Sequence, residues 1–169
     1  MKNLDLDNTR KARYYKILPH LFLSQYKYSI WMDANMQIVG DIHRLATQHL
    51  QDNSLVVFKH PFRDCIYQEL EACARYKKDD NMLMYRQVLK YGKENYPRKN
   101  GVISSGVLLR NHHEPEVKKV MEDWWSEIEN HSKRDQLSFN YVSWKNNMKY
   151  KTLEYSTLTN NFLLHPHRH

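Results

Sequence analysis

The sequence predicts an α/β sandwich in which helices flank a mostly parallel central sheet. Short apolar runs alternate along the chain with segments of helical periodicity, which is the pattern of a sheet covered by helices. The chain has 169 residues, the length of one domain. Aromatic residues make up 12% of it, which argues against a disordered chain. We therefore predict a single domain over residues 1–169, with residues 1–9 as a polar tail.

The first half of the chain predicts helices and strands in alternation. Residues 9–23 have apolar side chains at three- and four-residue spacing, with Thr9 as a candidate N-cap and Pro19 making the end of the helix ambiguous. Residues 28–32 form an apolar run that ends at Asp33 and indicates a buried strand. A short helix over residues 42–50 and a strand over residues 54–58 follow.

The second half continues the alternation. Residues 63–91 mix polar and apolar side chains at helical spacing and break near residues 78–81, which indicates two helices. Glu114 and Pro115 open a long helix that runs to about Asn130, because proline is favoured in the first turn. The remaining predicted elements are a strand over residues 102–110, a helix over residues 135–144 and a strand over residues 150–155. Ligands of such sheets bind at the carboxyl ends of the strands.

The composition excludes several function classes. The four glycines fit neither the GxGxxG fingerprint nor the GxxxxGK[ST] phosphate loop, so a bound nucleotide must be held by another device. Cys65 and Cys73 lie in a predicted helix, too far apart for a disulfide, which favours a reducing compartment. No apolar run approaches the ~20 residues of a membrane-spanning helix. Residues 1–10 lack the apolar region of a signal peptide, so a cytoplasmic location is the default expectation.

The net charge of +7 makes nucleic acid an alternative partner. The basic residues are spread through the chain and interleaved with acidic ones, and the sequence has no recognition-helix, zinc-finger or RNP signature. A basic nucleic-acid-binding protein would lose affinity steeply as salt is added.

The end of the first predicted strand carries the most informative polar pair. Asp33 and Asn35 are two residues apart, so a turn after the strand can direct both side chains to one side. Oxygen-bearing side chains in that position can ligate a hard cation that also holds a diphosphate. The alternative is that Asp33 only caps a turn, since Asp-x-Asn is common in turns.

A second candidate cluster is basic. Arg13 and Lys16 are three residues apart and share a helix face, and Arg10 lies one turn earlier on that side. Such a row can clamp phosphates, for which arginine offers bidentate contacts. The alternative is a solvated helix face.

A third candidate segment, residues 133–136, opens a helix. Asp135 is either the N-cap of this helix or a carboxylate that faces substrate, and both roles are compatible. His60 with Arg63 is a further candidate pair. Alternating histidines on an extended tail can bind zinc adventitiously, although a lone histidine is more often structural; here they are His165, His167 and His169.

Several blocks of the sequence, in order, resemble the glycosyltransferase-like domain family of plant turgor-regulation and mucilage-related proteins. The resemblance covers about residues 9–169. The blocks that carry it are RKARYYKILPH at residues 10–20, YSIWMDAN at 28–35, FKHPFRDCIY at 58–67, GVLLRN at 106–111, WWSEI at 124–128 and RDQLSFNY at 134–141. The resemblance implies a GT-A-type, Rossmann-like fold of the nucleotide-diphospho-sugar transferases. It also implies transfer of a sugar from a nucleotide donor to a glycan hydroxyl.

The resemblance further implies a site for the donor and a divalent cation. In the GT-A superfamily an Asp-x-Asp motif binds the donor ribose and the cation, usually manganese, and Asp33 and Asn35 stand at the matching positions. A late histidine often supplies a third metal ligand, and His165 or His167 is the nearest equivalent. Asn35 departs from the motif, and a neutral amide binds a cation less strongly than a carboxylate.

Other positions gain implied roles from the same resemblance. Ser105 and Gly106 match a donor-side strand of related retaining transferases, and Asp135 with Gln136 resembles their acidic acceptor-side motif. The basic row then stabilises the charge of the leaving diphosphate, through Arg10, Arg13 and Lys16.

The resembled family begins with a strand and a Gly-containing loop that helps build the nucleotide-base pocket. Nothing similar precedes Arg10 in this sequence. Two expectations follow: a second chain supplies this edge, or the domain is a non-catalytic carbohydrate- or anion-binding remnant of the fold. The expected small-molecule partners are a nucleotide-sugar donor, taken as a UDP-sugar, and a glycan acceptor.

Overall fold

The computed structural model describes residues 6–166, which fold around a mixed four-stranded sheet. Its strands, in spatial order, are β1 (Ser29–Met32), β4 (Ile103–Arg110), β3 (Leu55–Lys59) and β5 (Lys151–Leu153). The β3–β5 pair is parallel, whereas β1 and β3 are both antiparallel to β4. The α/β class is therefore confirmed, and the prediction of a mostly parallel sheet is wrong.

The orientation of β4 accounts for this difference. The other three strands run in one direction, as the alternation predicts, but β4 lies between β1 and β3 in the opposite direction. Between β3 and β4 the chain forms two helices that pack on each other, α3 (Ile66–Arg75) and α4 (Asn81–Lys93). Two helices in succession return the chain to the edge of the sheet at which β3 ends. Strand β4 therefore begins at that edge and runs antiparallel to β3.

The remaining predicted helices are present, and the one clear difference is that the helix predicted over residues 9–23 ends at Ile17. They are α1 (Asn8–Ile17), α2 (Ile42–Leu50), α5 (Pro115–Asn130) and α6 (Asp135–Lys145). The predicted N-cap Thr9 is wrong: the cap is Asp7, whose Oδ1 accepts a hydrogen bond from the Arg10 backbone N–H at 3.0 Å. Helix α1 ends at Ile17, because the helical conformation is disfavoured for a residue that precedes a proline, here Leu18 before Pro19. A short 3-10 turn follows over Pro19–Leu21.

Three short elements near the end of β1 are not predicted by the sequence. Strands β2 (Met36–Ile38) and β6 (Phe162–Leu164) pair in a separate antiparallel sheet, and α7 (Tyr155–Asn161) precedes β6. Each strand has three residues, too few to show a periodicity. This small sheet brings the C-terminal segment back to the end of β1.

The hydrophobic core lies on both faces of the four-stranded sheet. Alternate residues of a strand point to opposite faces, and Leu55 and Val57 accordingly pack with helices α1, α3, α4, α5 and α6, whereas Val56 and Phe58 pack with α2 and α7. The sheet is thus the middle layer of a sandwich, as predicted.

Both cysteines are buried free thiols, as the sequence predicts. Cys65 immediately precedes α3 rather than lying inside it, and Cys73 donates a hydrogen bond to Glu69 Oε1 at 3.2 Å. Among the helices of the described residues, none is both long and apolar enough to cross a membrane.

Gly40 is required for close packing between β2 and α7. A Cβ at this position would lie 2.9 Å from the Asn161 Cα, so part of the backbone would have to move. We expect Gly40→Ala to lower the free energy of unfolding by about 1 to 3 kcal/mol, the usual range for overpacking. Urea unfolding measures this change.

Gly92 provides the matched control for that substitution. A Cβ there would lie 3.6 Å from Tyr67 Oη, an ordinary van der Waals contact, and Gly92 lies within helix α4. Gly92→Ala is therefore expected to raise the free energy of unfolding by about 0.5 to 1 kcal/mol. Equal effects of the two substitutions would contradict the packing at Gly40.

Candidate active site

A cleft of about 1470 Å³ opens where β1 and β5 end. Asp33 and Asn35 follow β1 at this place, and Tyr155 follows β5. The cleft also meets the first half of β4 and the start of α6, and its polar lining includes Arg13, Ser104, Ser105, Arg134, Asp135, Gln136 and His165. The sequence analysis expected ligands at the carboxyl ends of strands, and the cleft lies at that edge.

An irregularity in the sheet lies in the β4 segment that lines the cleft. The register between β3 and β4 shifts between Val57 and Phe58, which leaves residues 105–107 without partners on β3. On the other side of β4, the Asp33 N–H donates a hydrogen bond to the Gly106 carbonyl at 2.9 Å. Such irregularities are common beside active sites, because they re-aim side chains.

Gly106 allows Met36 to pack against this part of β4. A Cβ on Gly106 would lie 2.6 Å from Met36 Cε and 3.6 Å from Asp33 Oδ2. The absence of a side chain therefore makes room for the Met36 methyl group beside the Asp33 carboxylate.

The two carboxylate oxygens of Asp33 differ in their contacts. Its Oδ1 accepts a hydrogen bond from Trp31 Nε1 at 2.7 Å and lies 3.5 Å from Lys16 Nζ. Within the described part of the chain, no hydrogen bond reaches Oδ2. The side chain is 31% exposed and lines the cleft.

Asp135 is the most heavily bonded carboxylate of the cleft. Its Oδ2 accepts hydrogen bonds from Lys16 Nζ at 2.7 Å and Ser105 Oγ at 3.1 Å, and lies 3.1 Å from Arg13 Nε. Its Oδ1 accepts from the Gln136 backbone N–H at 3.0 Å. Asp135 is the first residue of α6 and not its N-cap, which is Arg134. The capping interpretation of Asp135 is therefore wrong.

The electrostatics around Asp135 keep it ionised. Burial by itself would raise the pKa of this carboxyl group, but the positive charges of Lys16, Arg13 and Arg134 outweigh burial and hold the pKa well below its usual range. A carboxylate in this state accepts hydrogen bonds and balances charge, and it is a weak base.

Asn35 and His165 join the C-terminal segment to the end of β1. Asn35 Nδ2 donates to the His165 carbonyl at 2.9 Å, and the His165 N–H donates to the Asn35 carbonyl at 2.8 Å. The His165 ring lies with Nε2 3.2 Å from Gln37 Oε1. The Asn35 amide nitrogen thus has a structural role at the rim of the cleft. His167, the alternative third ligand, lies outside the described residues, as does His169.

The side chains that could hold a cation do not form a complete ligand shell by themselves within the described residues. Among residues 6–166, no group of three His, Cys, Asp or Glu side chains is arranged to hold a metal ion. Among the carboxylate oxygens that line the described part of the cleft, Asp33 Oδ2 is the one without a hydrogen bond, since both Asp135 oxygens are already bonded. This donor set fits a cation that reaches the protein together with a diphosphate, because Mg²⁺-like ions are commonly bound by one or two carboxylates plus substrate phosphates.

Four predicted site residues lie away from the cleft surface. Arg10 points to the end of α5, where Nε donates to the Ile128 carbonyl at 2.9 Å and a terminal nitrogen donates to the His131 carbonyl at 2.6 Å. Lys16 shares a face with Arg13, as predicted, but it is 0% exposed and cannot meet a phosphate from solvent. His60 and Arg63 bond to each other, and Arg63 Nε pairs with the buried Glu69 at 2.5 Å.

The cleft also contains residues to which the sequence assigned no individual role. Arg134, which belongs to the candidate segment over residues 133–136, lines it and donates to Gln136 Oε1 at 3.2 Å, while Trp31 and Tyr155 contribute aromatic surface. Trp31 and Tyr155 give no signal in the sequence, since an aromatic residue at a strand end usually belongs to the core.

Comparison with known proteins relates this cleft to a family. The family model described as TOD1/MUCI70, glycosyltransferase-like domain, matches residues 1–169. The chain belongs to the TOD1/MUCI70 family. The resemblance read from the sequence blocks is thereby confirmed, and membership of the TOD1/MUCI70 family supports a glycosyltransferase-type function.

A curated relative agrees with the TOD1/MUCI70 assignment. The chain is 27% identical over 146 residues to the probable hexosyltransferase MUCI70 of Arabidopsis thaliana. The match covers 80% of this chain and 25% of the relative, so the chain spans about a quarter of that protein's length. No solved structure matches the chain.

Proposed function

We propose that the cleft binds a nucleotide-diphosphate sugar and that the chain transfers the sugar to a glycan hydroxyl, as a GT-A-type glycosyltransferase domain. One observation carries the proposal: residues distant in sequence, among them Asp33, Gly106 and Asp135, meet in one cleft at the carboxyl edge of the sheet. Ligand pockets of about 300 to 1000 Å³ hold drug-sized ligands. The larger cleft of this chain, about 1470 Å³, leaves space for a donor and part of an acceptor.

The charges of the cleft support a diphosphate as ligand. Arg13 and Arg134 line the cleft, and the guanidinium groups suit bidentate contacts with phosphate oxygens. When the bond between sugar and phosphate oxygen breaks, the leaving diphosphate gains negative charge. We assign the stabilisation of this charge to these two arginines, and we do not assign a phosphate contact to Arg10 or Lys16.

Asp135 has a positioning role in this proposal. Both its oxygens already accept hydrogen bonds, and the cations beside it hold its pKa low, so it is a poor acceptor for a substrate proton. Its neighbour Gln136 donates from Nε2 to the Ile103 carbonyl at 2.8 Å. We therefore infer that Asp135 and Gln136 fix the shape of the sugar subsite.

A divalent cation, with manganese as the first candidate, complements this site. Asp33 Oδ2 would hold it, with the amide oxygen of Asn35 and the ring of His165 as further candidate ligands at the rim. When bound, such an ion neutralises charge on the diphosphate. Because the protein alone supplies few ligands, nucleotide and cation are expected to bind together and each weakly when alone.

The direct test of the proposal is release of uridine diphosphate from a set of UDP-hexoses, with Mn²⁺ and a mixture of plant oligosaccharides as acceptors. We expect acceptor-dependent release that ends when the cation is chelated. Arg13→Met should abolish most of this release, whereas Arg86→Met, on the exposed surface of α4, should leave it unchanged. Equal rates for the two variants would contradict the placement of the diphosphate.

The same experiment addresses the non-catalytic alternative. A folded chain that binds oligosaccharides and releases no nucleotide from any donor would be a carbohydrate-binding remnant of the fold. If release appears only when a second polypeptide is added, that chain completes the donor site.

A further inference from the structure

Lys16 is a fully buried lysine, and its charge lies between the two carboxylates of the cleft. The side chain is 0% exposed, and Nζ lies 2.7 Å from Asp135 Oδ2 and 3.5 Å from Asp33 Oδ1. Lysine is almost never fully buried unless it is paired. The pairing here is to both acidic residues of the cleft at once.

The surrounding structure fixes this ammonium group. The Lys16 carbonyl accepts a hydrogen bond from a terminal nitrogen of the buried Arg110 at 2.6 Å, which holds the end of α1 against β4. The Trp31 ring lies beside the ammonium, with its centroid 6.0 Å from Nζ. Trp31 Nε1 in turn donates to the same Asp33 oxygen that faces Lys16.

We propose that Lys16 is a positioning residue whose buried ammonium links Asp33 to Asp135 and fixes the direction in which each carboxylate points. Through this link Asp33 Oδ1 faces inward toward Lys16 and Trp31, and Oδ2 lies on the side of Gly106. Lys16 touches no ligand in this arrangement. The effect of Lys16 on the affinity for a donor rests on the function proposed above. Its effect on the orientation of the Asp33 carboxylate does not.

The test compares three variants in helix α1. Lys16→Met removes the charge at similar length, Lys16→Arg retains it, and Lys11→Met removes the same charge from the exposed face of the same helix. The first readout needs no nucleotide: it is the hydrogen-exchange rate of the Trp31 indole proton, which the hydrogen bond to Asp33 protects. The second is the affinity for uridine diphosphate with Mn²⁺, measured by calorimetry on protein shown to be folded by circular dichroism.

We expect Lys16→Met to accelerate exchange of the indole proton and to weaken nucleotide binding by about 10- to 100-fold, as loss of an outer-shell partner does. Lys16→Arg should restore most of the protection, and Lys11→Met should match the wild type in both readouts. If the Trp31 indole proton exchanges as slowly in Lys16→Met as in the wild type, the proposal is overturned. If the wild type binds no nucleotide, the proposed function fails, and the indole readout still decides the role of Lys16.

A double variant keeps the proposal testable if Lys16→Met does not fold. Lys16→Met with Asp135→Asn removes both charges of the closest pair and so leaves no buried carboxylate facing an apolar side chain. Asp33 still lacks its ammonium partner in this variant, so the indole proton should exchange faster than in Asp135→Asn alone. Equal exchange rates in the double and single variants would overturn the proposal.

Discussion

Asp33→Asn is expected to weaken binding of uridine diphosphate with Mn²⁺ by about 100-fold or more, because loss of an outer-shell partner already costs about 10- to 100-fold and Asp33 is proposed as a direct ligand. The amide keeps the size of the side chain and an oxygen that can accept the Trp31 hydrogen bond. Calorimetric titration measures the affinity.

The fold should tolerate this change. The Asp33 side chain is 31% exposed and lies 3.5 Å from Lys16, which keeps Asp135 as its closer partner. Thermal unfolding should therefore remain close to that of the wild type. Asp52→Asn, an equal charge change in the exposed loop before β3, is the control and should bind nucleotide normally. Normal binding by Asp33→Asn would remove this residue from the donor site.

Asp135→Asn is expected to cause the largest loss of stability among the cleft variants. The substitution leaves the ammonium of Lys16, which is 0% exposed, without its partner at 2.7 Å. Breaking a buried ion pair by removing one partner costs about 3 to 5 kcal/mol. Asp33 lies near the same ammonium and offsets part of this cost, so we expect a value near the lower end. Urea unfolding at neutral pH measures it.

The effect of Asp135 should depend on pH in a defined direction. Its pKa is lower in the folded chain than in the unfolded chain, so its stabilising contribution is complete above the unfolded value of about 3.9 and is lost as the pH falls below it. The difference in unfolding free energy between wild type and Asp135→Asn should therefore shrink as the pH falls from about 5 toward 2. A difference that stays constant over this interval would contradict the buried ion pair.

The sequence was sufficient for the elements that position the site. The apolar run before Asp33 predicted a strand, and its end marks the observed cleft. Proline correctly predicted where α5 begins, and the polar break near residues 78–81 correctly predicted that α3 and α4 are separate helices. The direction of β4 could not be predicted from local periodicity, because it depends on how α3 and α4 pack.

The contacts that build the cleft were less predictable. Asn35 and His165 are 130 residues apart, and the strands that bring them together are three residues long. Helical spacing placed Arg13 and Lys16 on one face, but a buried lysine paired with carboxylates has the same sequence pattern as a solvated one. The basic pattern favoured a phosphate contact for Arg10. Besides the nearby Asp7, its partners are the main-chain carbonyls of Ile128 and His131 at the end of another helix, and these contacts leave no trace in the sequence.

The central claim is that a nucleotide diphosphate binds in the cleft at the end of β1. The most direct measurement is an amide NMR spectrum of the isotope-labelled chain, recorded as uridine diphosphate is added with Mg²⁺, and repeated with Asp33→Asn. If the nucleotide binds in this cleft, the amide chemical shifts should change mainly at residues 33–35, 104–106 and 134–136. These changes should be absent in Asp33→Asn. Shifts confined to the exposed surface of α4 around Arg86, or shifts that persist unchanged in Asp33→Asn, would contradict this claim.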